Sequence, residues 1–121
     1  MALARSSNGT ASGEVFFVAL GEIDGQPLVL GFSSDYAIDG TTHGTSVYVR
    51  GRAARRGIGT ALLRHAEAHA RATGATAIQI ESSLAGVAFY GTHGYREVGR
   101  GHVHLKSGHP IACVSMRKDL A

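Results

Sequence analysis

The sequence is short of several residue types that would mark other classes of protein. It has one cysteine, two prolines and no tryptophan among 121 residues. A lone Cys113 cannot form an intrachain disulfide, so the chain is not a small secreted scaffold held by disulfides. No apolar run approaches the roughly 20 residues that cross a bilayer, and the first residues lack the layout of a signal peptide. We therefore expect a cytoplasmic protein that does not enter a membrane.

Charged residues are also few, and the arginines are concentrated in one segment. Charged residues make up 17% of the sequence against 44% hydrophobic residues, a globular balance suited to one core at this length. The formal net charge is +3, and four of the ten arginines fall within residues 50–56. Such a cluster suits a polyanionic small molecule, whereas a nucleic acid would need a basic stripe that the rest of the chain lacks. We predict no nucleic-acid partner.

Patterns of apolar residues divide the chain into a tail, strands and helices. Residues 1–13 are rich in Ser, Gly and Asn and predict a flexible tail before a domain over residues 14–121. Apolar spacing predicts a long helix over residues 57–73 and a short one over 84–92, with a turn region over 39–44. The predicted strands are residues 14–21, 27–33, 45–49, 75–81, 95–103 and 111–117. This order predicts an α/β fold with a mixed, mostly antiparallel sheet and one parallel pair across the long helix.

The passage from the third predicted strand into the long helix has the features of an anion site. The first backbone N–H groups of a helix lack intrahelical partners, and the helix dipole places partial positive charge there. Gly57 and Gly59 lack Cβ atoms, which lets a phosphate approach the backbone. Arg55 and Arg56 add charge and forked donors. We predict a phosphorylated ligand whose phosphate lies on the backbone N–H groups of residues 56–60, which include Ile58 and Thr60.

Two common phosphate motifs do not fit this passage, and a third one does. It lacks the Lys-Ser/Thr ending of an NTPase P-loop and the third glycine of the dinucleotide fingerprint. The segment RRGIGTALL resembles the acyl-CoA loop of the GNAT superfamily of N-acyltransferases, Gln/Arg-x-x-Gly-x-Gly/Ala followed by an amphipathic helix. Gly57 and Gly59 match the two glycines. Ala54 stands at the Gln/Arg position, which removes one side-chain donor and leaves the backbone cradle intact.

A second block, SLAGVAFYGTHGY over residues 83–95, strengthens the resemblance. It is similar to the family's downstream pattern Asn-x-x-Ala-x-x-Phe-Tyr-x-x-x-Gly-Phe/Tyr. Ser83 stands at the usual Asn and Gly86 at the usual Ala. The matching residues are Phe89, Tyr90, Gly94 and Tyr95.

The resemblance implies a GNAT-like fold and an N-acetyltransferase that moves an acetyl group from acetyl-CoA, its co-substrate, directly to a primary amine. It implies that Tyr90 is the general acid for the leaving thiolate, since an ordinary Tyr hydroxyl stays protonated at neutral pH. On helical spacing alone, Tyr90 is equally a core aromatic residue. The implied CoA-binding residues are Val47, Tyr48, Val49, Arg55, Arg56, Gly57, Ile58, Gly59, Thr60, Ser83 and Phe89.

The general base and any metal ligands are less clearly marked. The third predicted strand carries no carboxylate, so Glu81 at the end of the next strand and His43 just upstream are the candidates. Either residue is equally a solvated turn or strand-end residue. His65 and His69 are spaced for one ion on a helix, but no third ligand follows nearby, so no metal is predicted.

The family usually opens with a strand and two helices, and only about a dozen unpatterned residues precede the first hairpin here. We therefore expect part of the wall of the acceptor pocket to be missing. The alternative function is a CoA-binding or assembly module that has lost the acceptor site. A small-molecule or peptide amine is the expected acceptor. A homodimer is expected because a second copy would cover the exposed sheet face or edge.

Overall fold

A computed structural model describes residues 2–6, 14–53, 57–104 and 106–120 of the chain. The described strands form one seven-stranded sheet in the order β1-β2-β3-β4-β5-β7-β6. The strands are β1 Ala2–Ser6, β2 Val15–Ile23, β3 Gln26–Ala37, β4 Thr42–Val49, β5 Ala77–Ser83, β6 Arg96–His104 and β7 Pro110–Asp119. The helices are α1 Ile58–Ala72 and α2 Val87–Thr92, with 3₁₀ turns at Gly51–Ala53 and Leu84–Gly86.

The strand pairing confirms the predicted mixed α/β fold. All neighbouring strands are antiparallel except β4 and β5, which are parallel. A parallel pair needs a crossover connection, and α1 supplies it between these two strands. The hairpin between β2 and β3 turns at Asp24 and Gly25, which both have positive φ angles of 51° and 77°.

Both helices pack on one face of the sheet. Leu63 of α1 and Tyr90 of α2 lie in one buried cluster with Ile78 and Ile80, which share a face of β5 because side chains alternate along a strand. A second cluster joins Ile58 and Leu62 of α1 to β2 and β3. We call this side the helix-covered face. The other side is the open face, and the part of the chain that the structure describes places no helix on it.

Exposure of large apolar side chains follows from this one-sided packing. On the open face, Leu20 is 40% exposed, Phe32 37% and Tyr48 56%. On the helix-covered face, Leu62 and Leu63 are fully buried. In the described residues, no helix is long and apolar enough to span a membrane.

The prediction of a flexible tail over residues 1–13 is wrong for Ala2–Ser6, which form β1. This strand pairs antiparallel with β2, with Leu3 opposite Ala19. Leu3 is half-buried against the cluster that contains Phe17. Backbone pairing along the edge of β2 therefore outweighs the weak local preference of a polar segment. Residues 7–13 lie outside the described residues.

The predicted turn region over residues 39–44 is also too long. The turn is centred on Asp39, whose Oδ1 accepts hydrogen bonds from the backbone N–H groups of Thr41 and Thr42, each at 2.8 Å. These bonds hold the pKa of the Asp39 carboxyl below its usual value. Strand β4 begins at Thr42, so His43 lies within the strand and not upstream of it.

Candidate active site

Strands β4 and β5 separate part of the way along their length. They pair only from Thr42 opposite Ala77 to Gly44 opposite Gln79. Beyond this point β4 stays with β3, and β5 stays with β7 as far as Ser83 opposite Cys113. The gap leaves one backbone edge of β4 beyond Gly44 unpaired by β5, and an extended ligand could form strand-like hydrogen bonds with it.

A cavity of about 640 Å³ occupies this gap. It brings together the predicted residues Val47, Val49, Gly59, Glu81, Ser83, Phe89 and Tyr90. Its lining also contains residues that the sequence reasoning did not single out for a role, namely Ser46, Ser82, Ala85 and Gly86. Strand alternation and the short 3₁₀ turn after β5 place them there, and no local sequence signal marks Ser46 or Ser82.

Three other predicted residues lie beside the cavity. Tyr48 points to the open face, because it alternates with Val47 and Val49 along β4. Ile58 is 2% exposed, and its side chain fixes the start of α1 in the core. Thr60 lies in the first turn of α1. Arg55 and Arg56, together with Ala54, fall outside the described residues.

The start of α1 has the geometry of an anion site. Gly57 immediately precedes the helix with φ +74°, a left-handed conformation that suits glycine. Among the residues that the structure describes, a Cβ atom at Gly57 would meet nothing within 4 Å. The first helical bond runs from the N–H of Ala61 to the carbonyl of Gly57, and the N–H groups before it have no partner within the helix. The first turn of α1 carries no acidic side chain to neutralise the helix dipole.

His93, which directly follows α2, also contacts the start of α1. Its Nε2 lies 3.1 Å from Oγ1 of Thr60, within hydrogen-bond distance. Its ring packs on Phe89 with a centroid distance of 4.9 Å. The spacing of four residues between Phe89 and His93 on a helical turn is the signal that could have paired these two rings. The pairing with Thr60 depends on the tertiary contact between α1 and α2.

Tyr90 is a core residue whose hydroxyl reaches the gap. Its side chain is 7% exposed, with ring centroids 5.1 Å from Phe89 and 5.8 Å from Tyr95. Burial raises the pKa of Tyr90, and a hydrogen bond with the backbone of Val47 partly opposes that rise. The hydroxyl therefore stays protonated at neutral pH and reaches β4 at the point where the strands separate.

Glu81 approaches the gap from the other face of the sheet. Its carboxylate accepts hydrogen bonds from Oγ of Ser115 at 2.6 Å and from Nε2 of Gln79 at 3.3 Å. These partners share the open face, because Ser115 lies opposite Glu81 on β7 and Gln79 lies two residues earlier on β5. A carboxylate on one face and a tyrosine hydroxyl on the other therefore border the same cavity.

His43 does not share this position. Its Nδ1 lies 2.7 Å from Oδ1 of Asp35, and Nδ1 of His69 binds the other carboxylate oxygen. His43 is outside the cavity lining, and its bond to a buried carboxylate makes Glu81 the stronger candidate for the base. His65 and His69 both pack on the ring of Phe17, with centroid distances of 5.9 Å and 5.7 Å, and Nδ1 of His69 is bonded to Asp35. In the described residues, no group of three potential ligands could hold a metal.

Comparison with known proteins identifies relatives of this architecture. The model of the acetyltransferase (GNAT) family matches residues 4–95. A comparison with curated proteins gives no significant match.

Solved structures of acetyltransferases share the fold. A GCN5-related N-acetyltransferase from Rhodopseudomonas palustris is 27% identical with a TM-score of 0.72, and the match covers 89% of this chain and 62% of that one. A ribosomal-protein-alanine N-acetyltransferase from Brucella melitensis is 26% identical with a TM-score of 0.71, covering 90% and 70%. The YncA protein from Salmonella typhimurium, solved with its cofactor acetyl-CoA, is 22% identical with a TM-score of 0.72, covering 92% and 67%. The chain thus spans less than two thirds of the length of the Rhodopseudomonas protein.

Proposed function

The chain belongs to the GNAT acetyltransferase family, and on that premise we propose that it moves an acetyl group from acetyl-CoA directly to a primary amine. The observation that carries the proposal is the cavity between β4 and β5, bordered by the Tyr90 hydroxyl on one face and the Glu81 carboxylate on the other. Conversion of an ammonium group to an amide removes two protons from the nitrogen, and the departing thiolate takes up one. A carboxylate and a tyrosine hydroxyl are suited to these transfers.

Binding of acetyl-CoA would use the backbone more than side chains. The pyrophosphate would accept hydrogen bonds from backbone N–H groups at the start of α1, those of Ile58, Gly59 and Thr60, which have no partner within the helix. The pantetheine arm would lie along the unpaired edge of β4 at residues 47–49, with Phe89 and Ser83 on the other side of the cavity. Arg55 and Arg56 would add charge at the phosphates. YncA of Salmonella typhimurium was solved with acetyl-CoA as its cofactor, which supports the choice of ligand.

The chemistry follows from the order of groups across the gap. Glu81 would take a proton from the ammonium of the acceptor, either directly or through one water, and free its lone pair. The amine nitrogen would attack the thioester carbonyl carbon, so that a C–N bond forms. A backbone N–H of β4 would stabilise the oxyanion. The C–S bond would then break, and the Tyr90 hydroxyl would donate its proton to the sulfur. The second proton of the nitrogen would return to the tyrosine oxygen, and Glu81 would release its proton to solvent, giving free CoA and an amide.

The test is the release of free CoA thiol from acetyl-CoA with a panel of primary amines. Turnover that depends on the amine, together with the mass of the acetylated product, supports the proposal. The alternative is a CoA-binding or assembly module without catalysis, and the exposed apolar side chains of the open face favour it. Such a module would bind acetyl-CoA in a calorimetric titration and release no thiol with any amine.

The proposed function also includes a location and binding partners for the protein. We propose a cytoplasmic location. We propose no nucleic-acid partner, because the arginines cluster at the predicted phosphate loop. Named acceptors of similar proteins include the ribosomal-protein alanine of the Brucella melitensis enzyme. For this chain, the acceptor is proposed as a small-molecule or peptide amine.

A further inference from the structure

A threonine hydroxyl and a histidine ring join the two helices beside the proposed phosphate site. Thr60 lies in the first turn of α1, and its Oγ1 is 3.1 Å from Nε2 of His93, which directly follows α2. Each Cα–Cβ bond of a helix tilts toward the N-terminus, so the Thr60 hydroxyl lies at the same end of α1 as the N–H groups without a helical partner. The pair therefore stands where the pyrophosphate of CoA would bind.

Backbone and ring contacts fix the position of His93. Its backbone N–H donates to the carbonyl of Tyr90 at 3.0 Å, and the next residue, Gly94, turns the chain with φ +90°. Its ring packs on Phe89 with an angle of 60° between the two ring planes. Phe89 lines the cavity, whereas His93 lies behind it and outside the lining. Any effect of His93 on a ligand therefore passes through Thr60 or Phe89.

The single proton of the Thr60 hydroxyl decides what this pair can do. If Nε2 of His93 accepts that proton, the hydroxyl has none left to donate to a ligand. If Nε2 instead carries a hydrogen and donates it to Oγ1, the hydroxyl is free to donate to a phosphate oxygen. A phosphate at the start of α1 favours the second arrangement, because a hydrogen bond to an anionic oxygen is stronger than one to a neutral nitrogen.

We propose that His93 is a positioning residue for CoA, and that its Nε2–H holds Oγ1 of Thr60 so that the hydroxyl donates to the pyrophosphate. This inference rests on the proposed binding of acetyl-CoA and adds a residue to it. A side chain without a donor would pack on Phe89 equally well, so packing does not account for the ring nitrogen beside Thr60. Loss of His93 should therefore weaken binding of the phosphates and leave binding of the pantetheine arm unchanged.

The experiment measures dissociation constants of CoA, dephospho-CoA and pantetheine, by calorimetry for the first two ligands and by NMR titration for pantetheine. We expect Thr60→Val and His93→Leu each to weaken CoA binding about tenfold, because each removes a hydrogen bond to a charged group or the side chain that orients it. Dephospho-CoA keeps the pyrophosphate and should show the same loss. Pantetheine has no phosphate to accept this bond and should bind each variant within about twofold of the parent, which also shows that the variant is folded. His93→Gln keeps an N–H donor and should recover most of the affinity for CoA.

A double-mutant cycle shows whether the two residues act through one hydroxyl. If His93 acts only by orienting Thr60, the double variant Thr60→Val/His93→Leu should bind CoA within about twofold of Thr60→Val alone. Thr92→Val is the matched control, because the exposed Thr92 hydroxyl donates to the carbonyl of Phe89 at 2.7 Å within α2. This control should leave the affinity for all three ligands unchanged.

Other outcomes overturn the inference separately from the proposed function. Parent-like affinity of His93→Leu for CoA, or losses that multiply in the double variant, rejects the role of His93. An equal loss for pantetheine assigns His93 to the packing of the fold, and a loss that disappears with dephospho-CoA places the contact at the 3′-phosphate; both reject the inference. CoA binding without release of thiol in the presence of any amine rejects the transferase proposal alone. A parent protein that binds no CoA rejects both.

Discussion

The two faces of the sheet are built by different means. On the helix-covered face, α1 and α2 close a core in which Leu62 and Leu63 are fully buried, and the Tyr90 hydroxyl reaches the gap from within that core. On the open face, Glu81 is exposed and accepts a hydrogen bond from Ser115, and Phe32 and Tyr48 are partly exposed to solvent. The proposed CoA side therefore rests on packed helices, whereas the proposed acceptor side rests on strand register alone. Substitutions on the two faces should separate binding of CoA from handling of the acceptor.

The largest effect is expected from Tyr90→Phe on the helix-covered face. The substitution keeps the ring and its packing but removes the proton for the leaving thiolate, so kcat should fall by about 10²–10⁴. Affinity for acetyl-CoA should stay within a few-fold. Steady-state rates and calorimetry measure the two quantities.

Tyr95→Phe is the matched control for Tyr90. Tyr95 is 4% exposed, and its hydroxyl donates to Oε2 of Glu67 at 2.8 Å, outside the cavity lining. Its loss should lower the free energy of unfolding and leave kcat unchanged. Equal kcat for Tyr90→Phe and the parent would remove Tyr90 from the mechanism, and a fall confined to affinity would assign it a binding role.

Glu81→Gln tests the open face in the same way, with a smaller expected loss. The amide that replaces the carboxylate can still accept a hydrogen bond from Ser115 but cannot take a proton, so kcat should fall by about 10² at neutral pH. Higher pH should recover part of the rate, because the free amine then needs no base. A pH profile of kcat parallel to that of the parent would contradict this role. Ser115→Ala keeps the carboxylate, so it should lower kcat by less than Glu81→Gln does.

Gly59→Val tests the predicted phosphate loop. A Cβ atom at this position would lie 3.2 Å from Cζ of Phe89 and 3.5 Å from Cγ2 of Val49, so the branched side chain crowds the cavity beside the helix start. We expect affinity for acetyl-CoA to fall by more than tenfold in a calorimetric titration. Gly40→Val is the control, because a Cβ there would meet nothing within 4 Å. Parent-like affinity of Gly59→Val would reject the loop assignment.

Asp35→Asn should lower the stability of the fold without changing the rate of acetyl transfer. The Asp35 side chain is 1% exposed, and its two oxygens bind Nδ1 of His43 and of His69, which ties β4 and α1 to β3. An amide replaces one acceptor with a donor, so the free energy of unfolding should fall by about 1.5–3 kcal/mol. Arg64→Gln, at an exposed position of α1, should change it by less than about 0.5 kcal/mol. Urea unfolding measures both, and equal stability of Asp35→Asn and the parent would contradict the assigned role.

The oligomeric state of the protein can also be measured. The exposed apolar side chains and the edge strands β1 and β6 support a homodimer. Light scattering at micromolar concentration should then give about twice the mass of the 12.6 kDa chain. A mass near that of one chain rejects the dimer.

The sequence by itself determined the parts of this protein that depend on near neighbours along the chain. Gly57 and Gly59 at the start of a helix, the apolar spacing of α1 and the Phe89-Tyr90 pair are local features. The preferences behind them, a left-handed glycine and a period of 3.6 residues, act within one or two turns. Element order and the parallel pair across α1 could be predicted for the same reason.

Tertiary structure alone decided the parts that depend on strand register. Pairing of Ala2–Ser6 with β2, the meeting of Asp35 with His69, and the bond between Glu81 and Ser115 join residues that lie far apart in the chain. Register between distant strands is set by packing of the whole sheet against α1 and α2, which no local pattern contains. The separation of β4 from β5 has the same origin, because each strand follows its antiparallel neighbour beyond Gly44.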